Sequence, residues 1–539
     1  MRQMRVLPWF LLLGLFTSAA CGPAATTVGI SKPPAETQET EKSQDTKTDA
    51  PLAVRPSGNV TITVLYTTDE HGWLEPLDRD GAKWGGMAEL LGRFVTKEHH
   101  CPGPIPANVD MAGAVVSGSA DDCAKPSTIL LSGGDHFTGP AISTYLVGEP
   151  MAASMARLGY TASAFGNHEF DFGRDQFLKN RGISKVQYLA ANMHIADPRL
   201  AADLDIKPFQ IFERKGIKIG VVGLAPNDTI KSAAADRFVG ITFEPAEPSL
   251  DKAINDAYTQ GADVVIVTAH ECPTELVPII AKHREWQLAF VGGGHCHKKL
   301  DLRAADIAVV SPDWRMHQYL RAEITVNQSL PSRSRVVRVA PEIIDTKVEP
   351  NAAVDIPLAR SIAGWKATVD KALGTVIGYS GAGIEPMPVV AQMIADAWLA
   401  ELGGDVAIMN KGGVRQTIPK GPITMATLWG VLPFDNRMMK VSITGEDLLK
   451  NLELPMATVS GAKKDAAGKW SVGKKPLDPK KRYTVLVTDF IYLGGDGAML
   501  TQADPKPVEL GMQWRDPVIT WIQKQKTTEK ATLESKLKK

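Results

Sequence analysis

The sequence predicts an α/β protein whose sheets are covered by helices, and three observations carry that expectation. Between about residues 58 and 341, short apolar runs alternate with segments of helical periodicity. Several of those runs are followed at once by a polar cluster, as happens where a crevice opens at the strand ends of a layered fold. The length of 539 residues exceeds one ordinary domain, so two are expected, with appendages.

Taken in order, the chain begins with Arg2 and Arg5, an apolar run over 7–16, and Thr17-Ser18-Ala19-Ala20 before Cys21-Gly22. That is a secretory signal, too short for a membrane span. Its end resembles the bacterial lipoprotein pattern, which makes 1–21 a lipoprotein-type signal peptide and Cys21 the lipidated residue. Ordinary cleavage leaving Cys21 unmodified is the alternative. The protein is therefore expected to be exported, as a periplasmic or cell-surface lipoprotein of a bacterium, with a secreted soluble form as the alternative. Residues 22–57 are rich in Thr, Lys, Glu, Pro and Ala and cannot bury enough surface to offset chain entropy, so they read as a disordered tether.

Helices are expected over 86–96, 151–158 and 249–260, and buried strands over 60–66, 128–131, 217–223, 264–267 and 288–291. Residues 58–341 form a first domain, and 342–373 a connection whose stretch 351–373 reads as helix. A second domain over 374–525 opens with an apolar helix at 387–402 and ends after a strand at 483–487 and Gly494-Gly495-Asp496-Gly497. The Lys-rich stretch 463–482 reads as a solvated hairpin, and 526–539 as a polar tail within a fraying segment that starts at 523.

The 60 basic and 60 acidic side chains cancel, which leaves no footprint for a nucleic-acid polymer or an anionic membrane face. Membrane contact is expected only through a lipid at Cys21, and the oligomeric state is open. Cys101 and Cys123 flank a loop of small residues that an oxidising compartment favours closing as a disulfide. Cys272 and Cys296 each neighbour a candidate ligand histidine. A disulfide, a pair of free thiols and a thiolate ligand are all open there, the disulfide being favoured.

The polar clusters are Asp69-Glu70-His71-Gly72, Gly133-Gly134-Asp135, Gly166-Asn167-His168-Glu169-Phe170-Asp171, His270-Glu271 and Gly294-His295-Cys296-His297. Alone, most of these are turns or core histidines. All five in one chain, each after an apolar run, have the composition of a two-metal site. Such a site needs one carboxylate that bridges both ions, with His, Asp and Asn completing each shell. Asp69 and His71, two apart on an extended strand end, would point to one side, as would His295 and His297. Two glycines before Asp135 would let its backbone turn tightly. His99, His100, His136, His194, His283 and His317 join no such pattern and read as surface or structural residues.

This order of motifs resembles the calcineurin-like metallophosphoesterases, and Thr67-Thr68-Asp69-Glu70-His71-Gly72 with Gly166-Asn167-His168-Glu169-Phe170-Asp171-Phe172-Gly173 is similar to their 5′-nucleotidase branch. The likeness extends to Asn410-Lys411-Gly412-Gly413-Val414-Arg415, Gly421-Pro422-Ile423-Thr424, Leu432-Pro433-Phe434, Phe490 and Gly494-Gly495-Asp496-Gly497. It implies an N-terminal four-layer α-β-β-α metallophosphoesterase sandwich and a smaller C-terminal α/β substrate-binding domain. One metal would be held by Asp69, His71, Asp135 and His297, the other by Asp135, Asn167, His270 and His295. The two divalent ions would be Zn, Mn or Fe. His168 with Asp171 would be the catalytic dyad, and a metal-activated water the nucleophile. Phe434 and Phe490 would sandwich a nucleobase, with Asn410, Arg415 and Asp496 on the rest of the substrate.

The implied activity is a 5′-nucleotidase-like release of phosphate from nucleotides. The alternatives are a sibling phosphoesterase (2′,3′-cyclic-nucleotide phosphodiesterase, nucleotide-sugar hydrolase or sulfate-ester-like hydrolase) or a non-catalytic surface binding lipoprotein. One departure from the family pattern is that 385–392 contains no arginine, which implies weaker phosphate or ribose contacts.

Overall fold

The computed structural model describes residues 58–79, 81–106, 110–116 and 123–537; the signal and tether lie outside the described residues. The first domain holds two six-stranded sheets. In one, Asn59–Thr67 runs parallel to Thr128–Ser132, then come Tyr160–Ala164 and Gln187–Leu189, also parallel. Antiparallel Gln318–Asn327 and Val336–Asp345 complete its other side. The second sheet has Ile217–Leu224, Val264–Ala269, Phe290–Gly292 and Ile307–Pro312 in parallel, edged by antiparallel Phe209–Arg214 and Lys299–Ala304.

Side-chain alternation sorts these strands into layers. Ile62, Val64 and Tyr66 face the other sheet and meet Ile219, Val221 and Ile266, whereas Leu65 points the opposite way, among Leu91, Phe94 and Met155. Those last residues come from the helices Met87–Glu98 and Glu149–Leu158. On the far side Val265 and Val267 pack with Leu250, Ile254 and Leu276 of the helices Ala246–Thr259 and Pro273–Ile280. The result is four layers, helix–sheet–sheet–helix.

Residues 342–345 belong to the edge strand Val336–Asp345, so the connection is shorter than the sequence suggests. Its helix is Ile356–Leu373, starting at 356 rather than 351 because Asp355 caps it, accepting from the Leu358 N–H at 3.0 Å, with a proline in the first turn. Leu358 and Ile362 pack into the first domain's core; Val369 and Leu373 lie with Ala141 against Met425 and Trp429 of the second.

The second domain is a five-stranded sheet in the order Ala457–Ser460, Val406–Asn410, Arg482–Thr488, Arg437–Thr444, Val508–Gln513. Met387–Leu402 and Asp516–Lys524 cover one face and Gly445–Leu452 the other. The Lys-rich stretch forms a small exposed sheet of Ala462–Lys464, Trp470–Val472 and Lys475–Pro476. The expectation that the chain frays from 523 onward is corrected. Leu533 is buried, and the Glu534 carboxylate accepts from the Ser380 hydroxyl and from the Gly381 and Ala382 N–H groups at 2.6–3.1 Å. A polar composition hid the leucines, Leu533 and Leu537, and the carboxylate that dock this segment.

Candidate metal centre

All five polar clusters sit at the carboxyl ends of parallel strands, at the mouth between the two sheets: after Asn59–Thr67, Thr128–Ser132, Tyr160–Ala164, Val264–Ala269 and Phe290–Gly292. Their backbone differs from the extended geometry the sequence suggests. Asp69, His71, Asp135, His295 and His297 all have left-handed φ, between 45° and 69°. Left-handed residues curl the chain around a point, whereas an extended strand end would carry its ligands past it. Gly134, at φ 98°, makes the turn before Asp135.

The geometry brings together two trios, Asp69–His71–His297 and Asp135–His270–His295, with the ligating atoms of each within 4.8 Å of one another. Asp135 Oδ2 lies 3.0 Å from His270 Nε2 and 3.7 Å from His71 Nε2, between the trios, where a bridging carboxylate belongs. Asp69 Oδ1 is 3.3 Å from His297 Nε2. The ring tautomers are set from behind: Nδ1 of His71 donates to the Thr138 carbonyl at 3.1 Å and that of His270 to the Gly133 carbonyl at 2.7 Å. With Nδ1 so engaged, each ring turns its Nε2 toward the centre. Main-chain N–H of His295 and the Thr68 hydroxyl hold Asp69, at 3.0 and 2.7 Å.

The donor set fits divalent cations. Asn167 Oδ1 is buried without a hydrogen-bond partner, an arrangement that costs about 1–3 kcal/mol unless something else binds it. His71 Nε2 and His297 Nε2 face each other at 3.1 Å, a spacing suited to two ligands of one ion. Carboxylate, imidazole and amide together suit zinc, manganese or iron. The charges already lean on one another. Burial pushes the Asp135 carboxyl up, but the His270, His168 and His71 rings outweigh it and hold it well below the usual range. His270 is pushed up to about 10: burial opposes this, and Asp135 and Asp69 prevail.

His168 stands beside this centre. Its Nδ1 is 2.9 Å from Asp171 Oδ2, and its main-chain N–H donates to Asp135 Oδ1 at 2.9 Å. Burial works against its charged form, yet Asp171 and Asp135 raise its pKa. The Phe434 ring from the second domain stacks on it, with centroids 5.2 Å apart and an angle of 24°. Arg415 also crosses from the second domain and donates to His71 Nε2 at 2.7 Å, with its guanidinium 5.9 Å from the Phe434 centroid.

The remaining substrate candidates form a second group. The Asp496 carboxyl is raised by burial, which outweighs the lowering by the Asn410 side chain, and its Oδ2 has no partner. Phe490 packs at the edge of the second domain's other core, its ring over Gly495 and not against Phe434. The loop Gly495–Gly497 lies against the first domain's short helix Thr229–Ser232, whose Ser232 carbonyl also accepts from Asn167 Nδ2 at 3.4 Å.

Two features escaped the sequence reading. Beneath the centre, His136 Nδ1 pairs with Glu70 at 2.8 Å, and Glu169 Oε1 accepts from the Asp135 N–H at 2.7 Å. Burial pushes Glu169 up to about 7. The other is Trp314-Arg315, with Trp314 stacked on His297 at 4.3 Å. Its signal was the one used elsewhere, a polar cluster directly after the strand Ile307–Pro312. Both Cys101–Cys123 and Cys272–Cys296 are disulfides, with Cα atoms 5.5 and 5.3 Å apart. The second ties the His270 loop to the His295–His297 loop and removes the free-thiol and thiolate-ligand alternatives.

Comparison with known proteins agrees with this architecture. Residues 385–502 match the family described as 5′-nucleotidase, C-terminal domain. Protein UshA of Escherichia coli is 24% identical over 90% of this chain and 95% of its own length. Endonuclease YhcR of Bacillus subtilis is 23% identical over 86% of this chain, which spans only 39% of that longer protein. The crystal structure of a 5′-nucleotidase precursor from Thermus thermophilus superposes with a TM-score of 0.72 at 22% identity, covering 87% of this chain and 97% of that one, a likeness of fold. Residues 385–502 thus match the 5′-nucleotidase C-terminal domain family, and the chain as a whole is similar to UshA and shares the fold of the Thermus thermophilus 5′-nucleotidase precursor.

Proposed function

We propose that the chain is a metal-dependent hydrolase that releases phosphate from 5′-nucleotides. The observation that carries this reading is the meeting of three groups at one mouth: the paired ligand trios, the His168–Asp171 dyad, and Phe434 with Arg415. Asp69, His71, Asp135 and His297 would hold one divalent ion, and Asp135, Asn167, His270 and His295 the other. Bound there, the two ions supply Lewis-acid charge for the phosphoryl group and lower the pKa of water. Asp171 fixes the His168 tautomer and favours its charged form, so the ring has a proton to give to the leaving 5′-oxygen. Arg415 places a second cation where phosphate oxygens would gather. Phe434 offers a flat face for a base, with Phe490 as its partner and Asn410 and Asp496 as ribose contacts. The enzyme would be exported and anchored through Cys21; the two disulfides suit an oxidising compartment, and among the described residues no helix is long and apolar enough to cross a membrane.

The test is phosphate release from a panel of nucleoside monophosphates, cyclic nucleotides, nucleotide sugars and sulfate esters, with zinc or manganese added after chelation. Monophosphates should lead the panel, and Asp135→Asn should abolish turnover. Preference for another panel member would move the assignment to a sibling activity, and a wild type that binds nucleotide without turnover would leave a binding protein.

A further inference from the structure

Arg315 has no part in the chemistry above, yet it is held as tightly as the ligands. It and Met316 both take left-handed φ, 55° and 57°. Its main-chain N–H donates to the Asp69 carbonyl at 2.9 Å, which ties its turn to a ligand loop. Its guanidinium lies 3.5 Å from the centre of the Trp314 ring and 4.7 Å from that of Trp73. A planar cation against two indoles has little freedom left, so its donors point in set directions. One of them, Nη2, donates across the domain boundary to the backbone carbonyl of Arg415. Arg415 is the residue that reaches His71 and lies over Phe434, and Phe434 is the ring stacked on His168.

We propose that Arg315 is a positioning residue: a clasp on the first domain that seats the 411–415 turn of the second domain over the metal centre. Through that one carbonyl it sets where Arg415 and Phe434 meet the substrate. The nucleotide part of this inference rests on the proposed nucleotidase reading; the clasp itself does not.

Two variants separate the possibilities. Arg315→Met keeps an unbranched stem against the indoles and removes every donor; Arg315→Lys restores a charge and a single donor group. With a nucleoside monophosphate, Arg315→Met should raise KM about tenfold, as loss of one charge-assisted hydrogen bond would, with kcat little changed. Arg315→Lys should recover part of that loss. Hydrolysis of bis(p-nitrophenyl) phosphate, which offers Arg415 a phosphate but Phe434 no nucleoside, should fall by a clearly smaller factor. The double variant with Arg415→Ala should be no worse than Arg415→Ala alone, because the clasp acts through Arg415. Independently of turnover, hydrogen exchange of the 411–415 amides should speed up in Arg315→Met. Equal losses on both substrates would make Arg315 a support of the metal centre itself, by way of Trp314 and His297, and would overturn the proposal. So would additive losses with Arg415→Ala, or unchanged amide exchange. If the wild type cleaves the synthetic diester but no nucleotide, the nucleotidase reading falls, and amide exchange alone decides the clasp.

Discussion

Replacing His168 by alanine gives the most direct reading of how this centre would break a phosphoester. The ring is fixed by Asp171 at 2.9 Å, held by its own N–H on Asp135, and capped by Phe434. A positioned proton donor of this kind contributes about 10²–10⁴-fold. At about 1.4 kcal/mol per factor of ten, His168→Ala should raise the barrier for a nucleoside monophosphate by about 3–5 kcal/mol. Asp171→Asn keeps a hydrogen-bonding group but no charge, so it trades a charge-assisted bond for a neutral one and should cost about 1–2 kcal/mol. The diagnostic is the leaving group. A 5′-alkoxide needs a proton as the P–O bond breaks, whereas p-nitrophenolate leaves without one. Steady-state kcat for AMP and for p-nitrophenyl phosphate, at matched metal loading, should therefore fall by very different factors in His168→Ala. Equal factors for the two substrates would refute proton donation and leave His168 as a stabiliser of phosphoryl charge.

Three further expectations concern the scaffold. Asp355 is fully buried, bonds Arg157 at 2.6 Å and caps the connecting helix, so Asp355→Ala should cost about 3–5 kcal/mol by stranding a buried guanidinium, measured by urea unfolding. Cys272 and Cys296 close a loop with a sequence separation of 24, so their double replacement by serine should lose about 3 kcal/mol and weaken metal binding, read by chelator competition. Burial pushes the Glu534 carboxyl up, but the Ala382 and Gly381 N–H groups and the Ser380 hydroxyl overcome this and hold it at about 2. A carboxyl lowered on docking stabilises the docked state above its free value of about 4.3, and that contribution disappears as pH falls from there through about 2. Pepsin should therefore cut the 527–537 segment progressively faster across that window, and Glu534→Gln should show little of this dependence.

What the sequence makes legible follows from what leaves a periodic trace. The alternation of Ile62, Val64 and Tyr66 with Leu65, and the apolar stripes of 87–98 and 246–259, are written in residue order, and so is the layering they cause. The same reading fails where position depends on partners far away in the chain. Glu534 docks onto 380–382, His136 pairs with Glu70, and Arg315 lies against Trp73 and reaches Arg415; each contact spans dozens to hundreds of residues, and no local pattern marks it. The second domain is less legible at its site for the same reason. Phe434 follows the helix Met425–Val431 and Phe490 the strand Arg482–Thr488, and one stacks on His168 while the other covers Gly495.

The ligand loops stand between these cases. Spacing alone suggests extended strand ends, but five of the seven candidate ligands lie in the left-handed region. Left-handed backbone disfavours L-residues by about 1–2 kcal/mol each, and aspartate and histidine are among the non-glycine types that enter it most readily. The residue types that bind a divalent ion are thus also types that tolerate the backbone needed to wrap around one. The strain is held by bonds that are not ligand bonds: the Gly133 and Thr138 carbonyls on the rings, the His295 N–H and Thr68 hydroxyl on Asp69, Glu169 on the Asp135 N–H, and the Cys272–Cys296 bridge. The curl so held brings the ligating atoms of each trio within 4.8 Å of one another. The buried network under Asp135, which the candidate motifs do not announce, helps to hold that curl.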